Sequence, residues 1–429
     1  MRRPLIVLLA ANAVSLTGNV LSMLAVPWYV LMTTGSPART GLAAFASTVP
    51  VVISATFAGT LVDRFGLRRS SVLSDLGSGL IVLAIPALYL TTGLSYELLL
   101  ALLFVRWLLA TPGETARVAL IPDLAGRAHF TMERATAAYD GAYRGAKMVG
   151  APLAGVLILW LGPTSLLFID GSTFLASAAL VRFGVPRIAH TDAGHGGYLG
   201  NLAEGVRFLW HDRLLRSAVA MVLVTNLLDT GLGQVLLPLY ARDVAHDPRV
   251  FGLLVGAVGA GAVAGTVAYG TVGARLPRRM TFALCFLVAG LPRALVLAVD
   301  LPLVTTLAVT MVSGFAAGAI NPLLGVMEFE RIPARLRARV LGTITAGVYA
   351  GMPFGGLLAG AGTELSGLSV TLIVFAGVYL LVSIPPFTGR AWREPGPRTT
   401  RSGAGSGPPV PRPARVRCRW VRRRRPGPW

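Results

Sequence analysis

Gly59-Thr-Leu-Val-Asp63-Arg64-Phe-Gly66-Leu-Arg68-Arg69 puts one acid and three arginines between two long apolar runs, residues 41–58 and 72–90. Charges this dense enter hydrocarbon only at high cost. The runs therefore read as membrane helices, and the quoted segment as the tight hairpin joining them outside the bilayer.

Composition extends that reading to the whole chain. Of 429 residues, 54% are hydrophobic and 14% charged, against about 25% charged in soluble domains. A span needs roughly 20 apolar residues, and twelve such runs can be placed. The expected fold is all-α, with twelve transmembrane helices. The net charge of +20 does not indicate nucleic acid, because residues 390–429 alone hold twelve arginines and one glutamate. Cys285 falls in a span and Cys418 in the tail, which gives neither a disulfide framework nor a metal site. Met1-Arg2-Arg3 and the apolar run from Leu5 imitate a signal peptide, but the run continues through Met32 and reads as a retained first span.

The halves of the chain match in order. The charged hairpin has a faded counterpart at Gly270-Thr-Val-Gly-Ala274-Arg275 with Arg278-Arg279. Gly150-Ala-Pro152-Leu-Ala-Gly155 in span 5 is echoed by Gly351-Met-Pro353-Phe-Gly355-Gly356 in span 11, and Ile121-Pro122 by Ile332-Pro333. Duplication predicts two pseudo-symmetric six-helix halves, residues 1–184 and 217–388. Residues 185–216 link them, and a basic tail, 389–429, follows. In such parallel halves a ligand sits between them near the midplane.

Within the linker, Asn201–Arg216 places Leu202, Val206, Leu209 and Trp210 on one side, an amphipathic helix for the inner membrane surface. The linker histidines read as solvated rather than metal-binding. Links on the N-terminal side hold nearly all the loop arginines, whereas the opposite links hold Arg39, Arg242 and Arg249, so both termini are expected in the cytoplasm. The Pro-, Gly- and Arg-rich tail reads as disordered, with Arg422–Arg425 drawn to anionic lipid; an overlong reading frame would give the same composition.

Ionisable residues inside spans are costly and mark candidate sites. They are Arg106 (span 4), Asp140, Arg144 and Lys147 (span 5), Asp170 (span 6), Asp229 (span 7) and Arg293 (span 9). Asp140, Arg144 and Lys147 share a helical face, and Asp140 with Arg144 reads equally as a static ion pair. Lys147, the chain's one lysine, can change its protonation where a guanidinium cannot. Asp229, flanked by Asn226 and Gln234, is the first choice for a titrating carboxylate, and Asp170 the second. Asn12, Ser15 and Asn19 share a face of span 1, for interhelical hydrogen bonds or a polar cavity. The glycine-proline segments of spans 5 and 11 (Gly150, Pro152, Gly155; Gly351, Pro353, Gly355, Gly356) allow close helix contact and bending.

The hairpin spacing G-x-L-x-D-R-x-G-x-R-R resembles the loop between helices 2 and 3 of the major facilitator superfamily. Ser15-Leu-Thr-Gly18-Asn19 with Thr34-Gly35-Ser36, and Asn201-Leu-Ala-Glu204-Gly205-Val-Arg207-Phe-Leu, resemble its macrolide- and siderophore-efflux branch. The resemblance spans about residues 5–388. It implies that Gly59, Asp63, Arg64, Gly66, Arg68 and Arg69 form a gate, with Asp63 engaging the end of span 11 and Arg64 and Arg68 pairing with nearby acids. It also implies a proton-coupling role for Arg106, although Leu109 and Ala110 replace the glutamine and glycine usual after that arginine.

The expected function is secondary transport without cofactor: export of a small amphipathic molecule, such as a drug, secondary metabolite or siderophore, against inward proton flow. The expected setting is the plasma membrane, as a monomer, with multidrug resistance as one outcome. No G-x-x-x-x-G-K-[ST] loop is present for ATP. Nutrient import and a non-transporting receptor or scaffold are the alternatives. An enzyme is not expected, because no histidine lies well inside a span.

Overall fold

Helices in this chain begin where a short polar side chain can satisfy free backbone N–H groups, and several end on glycine. Ser36, Ser95, Thr131, Asp212 and Asp247 each accept a hydrogen bond from the first turn of the helix that follows. The computed structural model describes residues 2–186, 198–299, 301–333, 336–389 and 392. These all belong to one unit, Met1–Arg393.

The first half comprises α1 (Arg3–Thr34), α2 (Pro37–Phe65), α3 (Leu67–Thr91), α4 (Tyr96–Ala128) and α5 (Met132–Gly184). After α6 (Tyr198–His211) come α7 (Arg213–Gly231), a π-helical turn (Leu232–Leu236), α8 (Leu237–Asp243), α9 (Pro248–Val272), α10 (Arg278–Ala298) and α11 (Leu303–Arg331). The last are α12 (Arg337–Tyr349), α13 (Met352–Ser366), α14 (Leu368–Ser383) and the short α15 (Pro385–Thr388). Eleven continuous helical stretches are long and apolar enough to cross a membrane. One of them, α5, has 53 residues, about 80 Å if straight, against about 30 Å of hydrocarbon. It bends at Gly162 (φ 75°, ψ 160°) and counts as spans 5 and 6, which gives twelve.

That glycine conformation recurs. Gly66 (φ 80°, ψ 147°) joins spans 2 and 3, and Gly367 (φ 83°, ψ 167°) joins spans 11 and 12. A Cβ is strained in this region of backbone space, so one glycine reverses the chain where another residue would need a longer loop.

Two differences from the sequence reading have plain causes. The apolar run of span 4 reads as about Tyr96–Ala116, yet α4 carries Pro112 and Pro122 inside it and ends at Ala128. Span 11 is two helices, α12 and α13, broken at Ala350 and Gly351 just ahead of Pro353.

Within each half, α1 packs along both arms of α5 and α3 against α4 and α5, while α11 packs against α9 and α10, and α14 against α10. The halves meet where α5 crosses α9 and where α2 crosses α13. Both crossings are made of glycine. A Cβ on Gly252 would lie 2.4 Å from the Ala151 carbonyl oxygen, and one on Gly41 would lie 2.3 Å from that of Gly356. The duplicated glycine-proline segments therefore sit at the two places where one half touches the other.

The apolar cores are unevenly shared. One large core joins Leu24, Trp28 and Leu31 of α1 to Leu236, Tyr240 and Phe251 of the second half. It lies at the face opposite the N-terminus, where Arg242 Nη1 also donates to the Leu31 and Gly35 carbonyls at 3.2 and 3.4 Å. At the same face Glu364 accepts from Ser36 Oγ at 3.0 Å and Ala38 N at 3.1 Å. At the N-terminal face the cores separate, with Leu5, Val62 and Leu124 in one half and Phe282, Leu323, Ile332 and Val340 in the other. The halves are sealed together at one face and divided at the other.

Helix α6 lies on α12: Glu204 pairs with Arg339, and Gly205 fits against Thr343. Leu209 packs there beside Phe208, whereas Val206 and Trp210, expected on the same face as Leu209, stay exposed. Trp392 stacks on Phe282 with ring centroids 4.9 Å apart and donates to Ser217 Oγ at 3.2 Å. The rest of the expected disordered tail beyond Gly389, like residues 187–197 of the linker, lies outside the described residues.

Candidate functional site

Between the sealed face and the divided one lies a cavity of about 440 Å³. Spans 1, 2, 4, 5, 7 and 11 all contribute to its wall. Much of that wall is apolar, with Val20, Met23, Val26, Val51, Val52 and Leu103 on the first-half side. The polar lining includes Asn19, Arg106, Glu114, Tyr143, Lys147, Gln234 and Tyr349, with the hydroxyls of Ser22, Ser47 and Thr48. A few polar groups on an apolar wall between transporter halves is the composition of a small-molecule site.

Arg106 anchors one wall. Its Nη2 donates to Asn19 Oδ1 at 2.6 Å and to Asp170 Oδ2 at 3.2 Å. Ser22 also donates to Asp170 Oδ2, and the guanidinium lies 4.4 Å from the centroid of the Trp107 ring. The two side chains are 3% and 0% exposed. A buried charge survives only when paired and hydrogen-bonded, and here three helices supply the partners. The close seat of Asp170 depends on Gly18, where a Cβ would fall 2.4 Å from Asp170 Oδ1.

A second buried pair stands along the same helix. Arg117 Nη1 donates to both oxygens of Asp75, at 2.8 and 2.9 Å, and Ser177 donates to Asp75 Oδ2 at 2.7 Å. Glu114 lies between the two pairs, within the electrostatic reach of Arg106 and Arg117. It opens onto the cavity and makes no hydrogen bond or ion pair among the described residues. Lys147 also lines the cavity, with Nζ 4.5 Å from the centroid of the Tyr143 ring.

Three residues singled out separately in the sequence, Asn19, Arg106 and Asp170, thus form one cluster. Two others pair elsewhere: Arg293 Nη2 donates to Asp229 Oδ1 at 2.6 Å, outside the cavity wall. Asn226 and Gln234, which drew attention to Asp229, point away from it. Asn226 Nδ2 donates to the Val348 carbonyl at 3.0 Å, and Gln234, on the π-helical turn, faces the cavity. The Asp140 and Arg144 side chains lie outside the described residues. Asn12 and Ser15 are buried below Asn19 on α1.

Of the hairpin residues, Gly66 makes the turn and Arg68 donates to the Arg182 carbonyl at the end of span 6. Gly59, Arg64 and Arg69 are exposed, and Asp63 is half-buried. The second-half counterpart uses arginine alike. Arg279 Nε donates to the Pro386 carbonyl at 2.6 Å, at the end of span 12, while Arg278 pairs with Glu330 at 2.7 Å. At the crossings, Gly155 meets Gly252 and Pro152 meets Gly256. Gly351 and Gly355 lie on the Leu223 and Leu227 carbonyls of α7, Gly356 lies on Ala44 of α2, and Gly150 touches Val20. Pro353 is buried beside them.

Sequence reading passed over Glu114, Arg117 and Asp75. The first two fell at the end assigned to span 4, and Asp75 near the charged entry to span 3. One signal was present: Ser71, Asp75 and Ser78 stand at helical spacing on one face, and all three are buried.

Residues 3–389 match the family described as transmembrane secretion effector. The chain is 32% identical over 382 residues to the multidrug efflux pump Tap of Mycobacterium tuberculosis, covering 87% of this chain and 90% of that protein. To the pump of the same name in Mycolicibacterium fortuitum it is 30% identical over 393 residues, covering 89% and 95%. Among solved structures, nucleoside transporter NupG shares the fold, with a TM-score of 0.73 at 13% identity over 90% of this chain and 98% of that one.

Proposed function

We propose, because this chain belongs to the transmembrane secretion effector family of the major facilitator superfamily, that it exports small amphipathic molecules in exchange for protons. The chain is a multi-pass membrane transporter. The observation that carries export is its likeness, over nearly the whole length, to pumps named for multidrug efflux. The mixed apolar and charged wall of the cavity supports an amphipathic cargo. The bacterial plasma membrane, with both termini in the cytoplasm, is the setting that the arginine-rich N-terminal face favours. The protein acts as a monomer, needs no cofactor, and draws its energy from the proton gradient.

Alternating access follows from the packing. The state described here is divided at the N-terminal face and sealed at the other, so cargo enters the cavity from the cytoplasm. Rocking of one half against the other about the glycine crossings of α5 with α9 and α2 with α13 reverses that access. Glu114 is the carboxylate best placed to carry the proton. It faces the cavity unpaired, whereas Asp170 and Asp75 are each committed to an arginine. Protonating Glu114 removes one negative charge beside Arg106 and Arg117, which changes their hold on the walls of the site. Asp63 and the hairpin arginines latch the N-terminal face in the opposite state.

Purified protein in proteoliposomes carrying an imposed pH gradient tests the proposal. Adding a lipophilic fluorescent dye should dissipate the gradient, and a protonophore should abolish dye movement. Dye transport unchanged by the protonophore and without proton flux would refute proton exchange.

A further inference from the structure

Away from the central cavity, a groove of about 270 Å³ opens at the N-terminal face between the start of α3 and the end of α5. Its lining is Arg68, Arg69, Val72, Leu73 and Arg182, which is three arginines and no acid. A neighbouring surface hollow adds Arg127 and Phe183 to Arg68. Arg69 and Arg182 are exposed and make no ion pair among the described residues. Arg68 is held in place by its donation to the Arg182 carbonyl. Arg69 and Arg182 are like charges on one rim, and an anion seated beside them relieves their repulsion.

What lies beside the arginines narrows the anion. Leu73, Leu76 and Leu80 of α3 are 55%, 38% and 61% exposed, and Leu180 and Phe183 of α5 are 37% and 84% exposed. These residues continue from the groove into the spans, so the basic rim passes directly into a lipid-facing apolar surface. A soluble phosphate would use only the rim. A molecule with an anionic head and acyl chains would use both.

We propose that this groove is a binding site for an anionic phospholipid of the leaflet at the N-terminal face. Its phosphodiester sits among Arg68, Arg69 and Arg182, and its acyl chains lie along Leu73 and Phe183. The site is independent of the transported cargo and needs only the membrane setting. Guanidinium groups suit it because their planar fork donates to two phosphate oxygens at once. The lipid would bridge the ends of spans 3 and 6.

Lipid retention by the full chain in detergent, read by native mass spectrometry, tests the site. Phosphatidylglycerol, phosphatidylcholine of the same acyl chains, and inorganic phosphate are the probes. Wild type should retain phosphatidylglycerol about tenfold better than phosphatidylcholine, and phosphate should not compete at equal concentration. The double variant Arg69→Gln/Arg182→Gln should lose most of that preference, and Arg69→Lys/Arg182→Lys should keep part of it. Every variant retains the basic tail, so the difference reports the groove. An unchanged preference in the Gln variant would overturn the site. Equal retention of the two lipids by wild type would do the same, and competition by phosphate would overturn the lipid in favour of a soluble anion.

Discussion

Two arginine–aspartate pairs, one in each half, look alike in sequence and differ in every physical respect. Arg106–Asp170 is 3% and 0% exposed, joins spans 1, 4 and 6, and borders the cavity. Arg293–Asp229 is 11% and 46% exposed and stands outside the cavity wall. The first pair is costly to dismantle, because either charge left alone would be buried. The second is close to an ordinary partly solvated pair, whose net worth is small. An aspartate inside a span is therefore not by itself a functional mark. Its neighbours across the bundle decide what it does.

The largest expected effect comes from breaking the buried pair. Asp170→Ala leaves Arg106 uncompensated and should cost about 3–5 kcal/mol. Thermal unfolding in detergent should show this, along with loss of transport in whatever folded fraction remains. A cost near zero would mean that Arg106 reaches water, and the contrast between the pairs would collapse.

Next comes Gly355→Val, in the second half, whose new side chain would meet the Leu227 carbonyl, only 1.9 Å from the Cβ position. Overpacking of this kind costs about 1–3 kcal/mol, read by the same melting assay. Its effect should fall on transport as well, because α13 carries one of the two crossings between halves. Asp229→Asn should cost about 0–1 kcal/mol and spare transport. A loss as large as that of Asp170→Ala would erase the distinction drawn here.

The smallest effect belongs to Asp247, which pairs with the exposed Arg249 at the start of α9. Its hydrogen bonds from Arg249 hold its carboxyl below the usual carboxylate range. A depressed folded pKa adds stability above the unfolded value, about 3.9, and that stability disappears as the pH falls through the folded value. Asp247→Asn should lower the melting temperature slightly at pH 7, and the difference from wild type should shrink as the pH falls below the unfolded carboxylate value.

Much of the fold was legible because membrane physics writes it in composition. The charged hairpin, the twelve apolar runs and the duplicated glycine-proline segments each state a constraint that neighbouring residues cannot hide. The break between spans 5 and 6 is legible at Gly162-Pro163, between runs ending near Leu161 and starting near Thr164; that one glycine alone makes the turn is not. The site was legible only in parts. Arg106, Asn19 and Asp170 stand out as polar groups in apolar stretches, but they lie on spans 4, 1 and 6, and no local pattern announces their meeting. Asp229 was favoured because polar residues flank it in sequence. On a helix such neighbours face different ways, and the π-helical turn rotates Gln234 into the cavity without Asp229. Glu114 falls near the expected end of span 4, where an acid draws little attention, whereas the helix runs on through Pro122 to Ala128.

The most direct measurement of the central claim is dye-induced proton flux in proteoliposomes with Glu114→Gln and Asp229→Asn run side by side. The expected result is that Glu114→Gln loses proton flux while remaining folded, and Asp229→Asn keeps it. Normal flux in Glu114→Gln together with loss in Asp229→Asn would contradict the account and move the proton site to the second half.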